Sequence, residues 1–197
     1  MRRDDLEELH YITAVENVPS ILERGILSNR QAARIDHRSV AMEEIQARRK
    51  KVVVGEGRPL HEYVNFYINA RNKMMYKIRG GHIDICVLRV SPAVLDLDGV
   101  VITDSNASSD YVRFAASPGG LILINRERVF AEYWTHADDY IDQLRHGSEM
   151  CAEVLVPDRV GPELIIGAHV SCRESLEALN ALAGELAIGV NGRLFFR

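Results

Sequence analysis

Cys151-Ala152-Glu153-Val154-Leu155-Val156-Pro157 is the stretch around which the chain is read. Most of its residues are apolar or small, and the run has the length and period of a buried strand closed by a proline. Glu153 is the exception. A carboxylate taken out of water is costly unless something binds it or it does chemistry, and a partly desolvated glutamate is a common way to hold a base or to face a developing cation. The plain alternative is an edge-strand glutamate pointing into solvent, so the weight falls on what accompanies Glu153 elsewhere in the chain.

At 197 residues and 47% hydrophobic content the chain is large enough for one domain with a full core, expected over residues 1–197. No hydrophobic span, signal peptide or low-complexity linker is legible, which gives a soluble, cytoplasmic protein as the expectation. Cys86, Cys151 and Cys172 are widely spaced and odd in number, so neither a disulfide framework nor a zinc site is expected, and no metal is called for. The net charge of −4 argues against indiscriminate coating of nucleic acid. The charge is nevertheless uneven: Arg30, Arg34, Arg38, Arg48, Arg49, Lys50, Lys51, Arg58, Arg71, Lys73 and Lys77 crowd one stretch, while acids gather at Asp4-Asp5-Leu6-Glu7-Glu8 and Asp138-Asp139.

Short elements alternate along the chain. A strand is expected at Tyr11-Ile12-Thr13, then a helix with Asn17 at its cap, Pro19 in its first turn and Gly25 as its stop. A second helix is expected from Ser39 to Lys51. Strands are expected at Val52–Val54, Tyr63–Ile68, Ile83–Val90, Val100–Thr103, Ala152–Val156, Leu164–Val170, Leu186–Val190 and Leu194–Phe196, with helix in pieces from Arg126 to Leu144 and an amphipathic helix from Arg173 to Leu182. The order shows no regular βαβ alternation and no repeat, which points to an α+β domain with curved, mainly antiparallel sheets. There is no GxSxG elbow, HExxH or Walker loop, and Gly55-x-Gly57 lacks the third glycine of a dinucleotide fingerprint.

Three constellations remain. In His10-Tyr11-Ile12-Thr13, alternation puts Tyr11 and Thr13 on one face and His10 with Ile12 on the other; a ring and a hydroxyl together suit a ribose, or simply a strand start packed in the core. Adjacent Arg48 and Arg49 lie about 100° apart on a helix, so one can face a cleft while the other meets solvent. From Leu60 to Tyr76, Tyr63, Asn65 and Tyr67 share a strand face, and a following loop carries Arg71, Lys73, Met75 and Tyr76, a mixture able to stack a flat ring and hold an anion.

Taken in order, these pieces resemble the DarT family of DNA ADP-ribosyltransferase toxins. The resemblance rests on Tyr11-Ile12-Thr13 with Glu16-Asn17-Val18 and Ile21-Leu22-x-x-Gly25; Ile45-Gln46-x-Arg48-Arg49; Leu60-His61-Glu62-Tyr63-Val64-x-Phe66-Tyr67; Arg71-x-x-Met74-Met75-Tyr76; Thr103-Asp104; Tyr133-Trp134; and Ala152-Glu153-x-Leu155-Val156. It implies the ADP-ribosyltransferase fold, a split sheet whose cleft holds NAD as co-substrate, and transfer of ADP-ribose to a base in single-stranded DNA. By the same resemblance Glu153 and Arg49 are the catalytic pair. His10, Tyr11, Thr13, Tyr67, Arg71 and Met75 are expected around NAD, and Arg48, Lys73, Tyr133, Trp134 and His146 along the DNA. A macrodomain antitoxin, DarG, is the implied protein partner.

The family's His-x-Thr signature is displaced here, because the residue two before Thr13 is Tyr11; either Tyr11 takes the ribose contact or a bulge lets His10 reach it. The lead-in Arg145 to Cys151 departs from that of thymidine-modifying members, which tilts the expected acceptor toward guanine with thymine as the other choice. Two further readings stay open: a related NAD-using enzyme acting on RNA or protein, and a non-catalytic nucleic-acid binding module on the same fold.

Overall fold

The computed structural model describes residues 1–55 and 57–197. Its strands are β1 (Leu9–Ala14), β2 (Ile26–Leu27), β3 (Val53–Val54), β4 (Arg58–Pro59), β5 (Tyr63–Tyr67), β6 (Ile85–Val90), β7 (Val101–Thr103), β8 (Phe114–Ala116), β9 (Glu153–Pro157), β10 (Arg159–Val160), β11 (Ile165–Val170) and β12 (Ile188–Val190). Its α-helices are α1 (Val18–Arg24), α2 (Asn29–Ala32), α3 (Glu43–Arg49), α4 (Lys73–Ile78), α5 (Arg126–Val129), α6 (Tyr140–Glu149) and α7 (Arg173–Asn180).

Eight strands form one sheet in the order β12-β11-β6-β1-β5-β9-β7-β8, and only β11 and β12 run parallel. The expected split lies at its centre. β1 pairs with β6 over six residues, but with β5 at the single position His10↔Tyr67, whereas β5 pairs with β9 along its whole length. Past that bridge the two half-sheets part, leaving an open edge of β1 facing an open edge of β5.

One sheet face is a continuous apolar layer of Leu9, Leu88, Val90, Phe66, Val64, Val154, Val156 and Ile102, covered by α1 and α7 through Val18, Ile21, Leu22, Leu176 and Leu179. The opposite face carries smaller clusters. Ile12, Tyr67, Val87 and Ile85 pack with Met75 of α4 and Phe195, and Leu155 and Tyr63 pack with Val54, Leu60 and Ala107. Gly25 ends α1 with φ +84°, and a Cβ there would lie 2.3 Å from the Val160 carbonyl oxygen, so both conformation and space demand glycine.

Three expectations are corrected. The helix proposed for Ser39 to Lys51 begins only at Glu43, the preceding residues lining the cleft as irregular chain. Lys73 to Tyr76 is helix rather than loop: the Asn72 side chain accepts from the Met74 and Met75 backbone N–H groups and so caps α4. Leu194 to Phe196 forms no strand. It is a 3-10 turn, Gly192–Phe195, that drives Phe195 into the core and ends with Phe196 at φ +60°.

Candidate active site

Where the half-sheets part, a cleft of about 800 Å³ opens. Its walls come from Tyr11, Ile12 and Thr13 of β1, Tyr63, Val64, Asn65 and Tyr67 of β5, the α3 residues Arg48 and Arg49, and one side of α4. Because β1 has lost its neighbour here, residues from both of its faces reach the cleft edge. Tyr11 packs edge-on against Phe66, with ring centroids 6.0 Å apart, and burial pushes its hydroxyl up to about 12. The Thr13 hydroxyl accepts from Asn17 Nδ2 at 3.1 Å, and Asn17 also bonds the Arg38 backbone, so the side chain expected to cap α1 instead fastens the loop over the cleft.

The floor of the cleft holds a buried ion pair. Arg49, the last residue of α3 and 6% exposed, donates Nη1 to Glu153 Oε1 and Nη2 to Oε2, both at 2.9 Å. Glu153, the first residue of β9, is fully buried. Its Oε1 also accepts from the Ala107 backbone N–H at 3.0 Å, and its own N–H donates to Thr103 Oγ1. Burial alone would lower the Arg49 pKa, but the facing carboxylate outweighs it and holds the guanidinium charged. Tyr67, opposite Glu153 in the β5–β9 register, is pushed well above the usual tyrosine range by burial and by the nearby carboxylate; its hydroxyl donates to Met74 Sδ at 3.0 Å. A fork-to-fork pair of this kind fixes the carboxylate's position and plane.

Of the residues singled out from sequence, Glu153, Arg49, Tyr67, Tyr11, Thr13, Arg48, Lys73, Tyr63 and Asn65 meet at or beside this cleft, while His10, Met75, Arg71, Trp134, His146 and Tyr133 do not. His10 lies on the same face as Tyr67, but its Nε2 contacts Glu8 Oε1 at 3.0 Å in a cluster with Arg89 and His169, outside the cleft lining. Burial works against the Glu8 charge there, yet hydrogen bonds from His10, His169 and Arg89 prevail and keep its carboxyl well below the usual range. Met75 turns into the core because α4 is a helix, and its neighbour Met74 takes the cleft position. Arg71 clamps the C-terminal turn, stacked 4.0 Å above the Phe196 ring and donating to the Arg193 carbonyl.

The aromatic and histidine residues expected along DNA are mostly structural. Trp134 packs edge-on to Tyr76 and Phe196. His146 is buried: its Nδ1 contacts His136 Nε2 at 2.9 Å, its Nε2 meets the Arg128 carbonyl at 3.0 Å, and burial lowers its pKa. Tyr133 is exposed but stands outside the cleft lining.

Sequence reading also missed residues that line the cleft. His61 faces it, with Nε2 buried and without a partner among the described residues; burial, then Arg49 and Lys50, push its pKa down. The loop after β7 contributes Asn106 and the Ala107 N–H, which a backbone contact hides from any residue pattern. No group of three or more His, Cys, Asp or Glu placed to hold a metal occurs among the described residues, and no helix there is long and apolar enough to cross a membrane.

Comparison with known proteins bears on this geometry. The pattern of the family described as ssDNA thymidine ADP-ribosyltransferase, DarT, matches residues 10–192. A DNA ADP-ribosyl transferase-DNA ADP-ribosyl glycohydrolase fusion protein of Thermosipho africanus is 32% identical over 197 residues, covering 94% of this chain and 46% of the fusion, so the chain spans about half of that relative. The structure of Thermus sp. 2.9 DarT in complex with ADP-ribosylated ssDNA superposes with a TM-score of 0.82 at 26% identity over 97% of each chain. That of the same protein with carba-NAD+ gives 0.75 at 25% identity over 95% of this chain and 97% of that one. With the family pattern running from β1 through the cleft to the last strand, this chain belongs to the DarT family.

Proposed function

We propose that the chain is an NAD-dependent ADP-ribosyltransferase acting on a base of single-stranded DNA, and the observation that carries this is the Arg49–Glu153 pair at the floor of a cleft in a split sheet. The cleft suits NAD. At about 800 Å³ it falls within the range of roughly 300–1,000 Å³ typical of small-molecule and cofactor sites. Arg48 and Lys73 line it without an ion-pair partner among the described residues, a fit for a diphosphate, and the open edges of β1 and β5 offer backbone donors and acceptors for a carboxamide. The related structures with carba-NAD+ and with ADP-ribosylated ssDNA support the same assignment.

Bound NAD supplies a ribose whose bond to nicotinamide breaks with growing positive charge. Glu153, held in place by three donors, is set to face that charge once Arg49 has moved aside. Its Oε1 accepts two bonds and its Oε2 one, so Oε2 is the oxygen free to take the proton leaving the acceptor nitrogen. Arg49 stands between this carboxylate and the cleft. Turning aside to a phosphate or a base carbonyl, it would expose Oε2 at the moment the acceptor is in place.

We assign the acceptor to thymine. The lean toward guanine rested on the Arg145 to Cys151 lead-in; of that stretch His146 packs inward against the Arg128 carbonyl, while Arg145, Gly147 and Ser148 line the cleft. The family description, which names thymidine, favours the other base. A base acted on at its pairing edge must be unpaired, which accounts for single-stranded substrate. Such an enzyme works where the chromosome is, in the cytoplasm, as a toxin held in check by a macrodomain glycohydrolase; the fused transferase and glycohydrolase of the Thermosipho relative supports that pairing.

The test is purified protein with NAD and oligonucleotides. Retardation of single-stranded DNA, with RNA and added protein unmodified and ADP-ribosyl-thymidine found by mass spectrometry of the digested nucleosides, is the expected result. Glu153→Gln should lower the rate on the order of 10²–10³-fold or more. Modification confined to RNA or protein rejects the reading, and growth of cells making active protein without an antitoxin rejects the toxin role.

A further inference from the structure

The hairpin β7–β8 holds Glu153 by its backbone and by its side chain. β7 runs antiparallel to β9, with Ile102 opposite Val154, and the next residue, Thr103, is fully buried beside Glu153. Thr103 Oγ1 accepts from the Glu153 N–H at 3.0 Å and donates to the Ser105 carbonyl at 2.7 Å, which joins the backbone of Glu153 to the start of loop 104–113. The same loop then returns to the carboxylate. Ala107, also fully buried, packs with Val54, Leu60, Tyr63 and Leu155 and donates its N–H to Glu153 Oε1 at 3.0 Å.

That second contact gains weight once Arg49 leaves. Two of the three donors on the carboxylate belong to Arg49, so with the guanidinium turned aside the Ala107 N–H alone fixes where Oε1 sits and hence where Oε2 points. A backbone donor is only as well placed as the loop that carries it. Loop 104–113 is closed across its neck by one side chain: Asp104 Oδ1 accepts from the Arg113 backbone N–H at 3.0 Å and from Ser105 Oγ at 3.3 Å, and Oδ2 accepts from Arg113 Nε at 2.5 Å. The Asp104 N–H reaches back to the Arg113 carbonyl at 3.4 Å, so the neck continues the ladder that ends at Thr103↔Phe114. An exposed ion pair by itself contributes little, but the Asp104 side chain is only 14% exposed and is engaged in fixing backbone. Neither Asp104 nor Arg113 lines the cleft.

We propose that Asp104 is a positioning residue for the transfer step: by closing loop 104–113 it aims the Ala107 N–H at Glu153 Oε1 and keeps Oε2 directed at the acceptor while Arg49 is turned away. This rests on the ADP-ribosyl transfer reading given above. Asp104 acts through Ala107 and Glu153 and touches no substrate, so its signature differs from that of a residue that shapes the NAD site. Binding of NAD does not depend on where Oε2 points, whereas proton removal and stabilisation of the developing charge do. Loosening the neck should therefore cost turnover and spare affinity.

The experiment is steady-state transfer from NAD to a single-stranded oligonucleotide by the full chain and its Asp104→Ala, Asp104→Asn and Arg113→Ala variants. Asp104→Ala is also combined with Glu153→Gln, and thermal unfolding is measured on every protein. Asp104→Ala should lower kcat about tenfold to a hundredfold, the scale of a misplacement of about 1 Å, with the KM for NAD changed less than about threefold. Asp104→Asn, whose Oδ1 still accepts from the Arg113 N–H, should recover most of that loss. Arg113→Ala removes an exposed side chain and leaves that N–H in place, so it should fold and lower kcat by less than about tenfold but measurably. In the Glu153→Gln background Asp104→Ala should change the residual rate less than about twofold, because no carboxylate is left to aim. Wild-type kcat in Asp104→Ala overturns the positioning role, as does a loss that persists undiminished in the Glu153→Gln background or is matched by an equal rise in the KM for NAD. If Asp104→Ala fails to fold, wild-type kcat in Arg113→Ala overturns it in the same way. A folded wild-type protein that transfers nothing from NAD to single-stranded DNA rejects the enzyme reading and this role with it, whereas the other refuting results leave that reading standing.

Discussion

Removing the guanidinium from the floor of the cleft should be far more damaging than an ordinary arginine truncation. Glu153 is fully buried and holds three hydrogen bonds, two of them from Arg49. Arg49→Met leaves the carboxylate with the Ala107 N–H alone, and breaking a buried pair in this way costs about 3–5 kcal/mol. Against a total stability of about 5–15 kcal/mol for a domain, that is a large fraction. At about 2–4 °C per kcal/mol for a chain of this size, the midpoint of thermal unfolding should fall by roughly 6–20 °C.

Arg49→Met/Glu153→Met should be markedly more stable than Arg49→Met, because replacing both members of a buried pair by apolar side chains is often neutral or stabilising. Urea unfolding followed by circular dichroism measures the cycle, with a midpoint shift at constant slope as the sign that only stability has changed. Two results refute the reasoning: an Arg49→Met cost under about 1 kcal/mol, or a double variant whose loss is the sum of the two singles. By the same geometry Glu153→Ala should cost stability as well as activity, since it strands a buried Arg49 beside a new cavity. Glu153→Gln, with unfolding monitored, is the better probe of catalysis.

Gly147→Ala should disturb the cleft rim, because a Cβ there would lie 3.1 Å from the Lys73 side chain and 3.2 Å from Trp134; Trp134 is the chain's one tryptophan, so a shift in its fluorescence emission checks this, and an unchanged spectrum counts against it. Stability should fall as pH drops below 6.5, the ordinary histidine value: burial lowers His61 and His146 in the folded protein, the unfolded chain therefore binds more protons in that range, and unfolding is favoured as pH falls. His61→Gln/His146→Gln should flatten the profile in denaturant titrations, and an equally steep profile would assign the effect to other groups. Cys172 should alkylate first, because hydrogen bonds from Ser175 pull its thiol down to about 7 while burial pushes Cys151 to about 11 and Cys86 to about 12. Peptide mass spectrometry after brief iodoacetamide treatment reads the order directly.

What the sequence disclosed, and what it hid, divides along the range of the interactions. Strands with an unbroken apolar period, such as Tyr63–Tyr67 and Glu153–Pro157, were legible because burial of the repeating face is local information. α4 was missed although its signal was present: Asn72 is a cap, but Met74-Met75-Tyr76 behind a polar stretch read as a loop apolar for binding. Glu153 was conspicuous as a charge in an apolar run, and Arg49 as one of two adjacent arginines with opposite facings, yet nothing in either segment says that they meet across 104 positions. His10 shows the converse. Alternation put it with Ile12, away from Tyr11 and Thr13, and the register sets it opposite Tyr67, but its ring is held by Glu8 beside Arg89 and His169 on β6 and β11, and only the strand order brings those together.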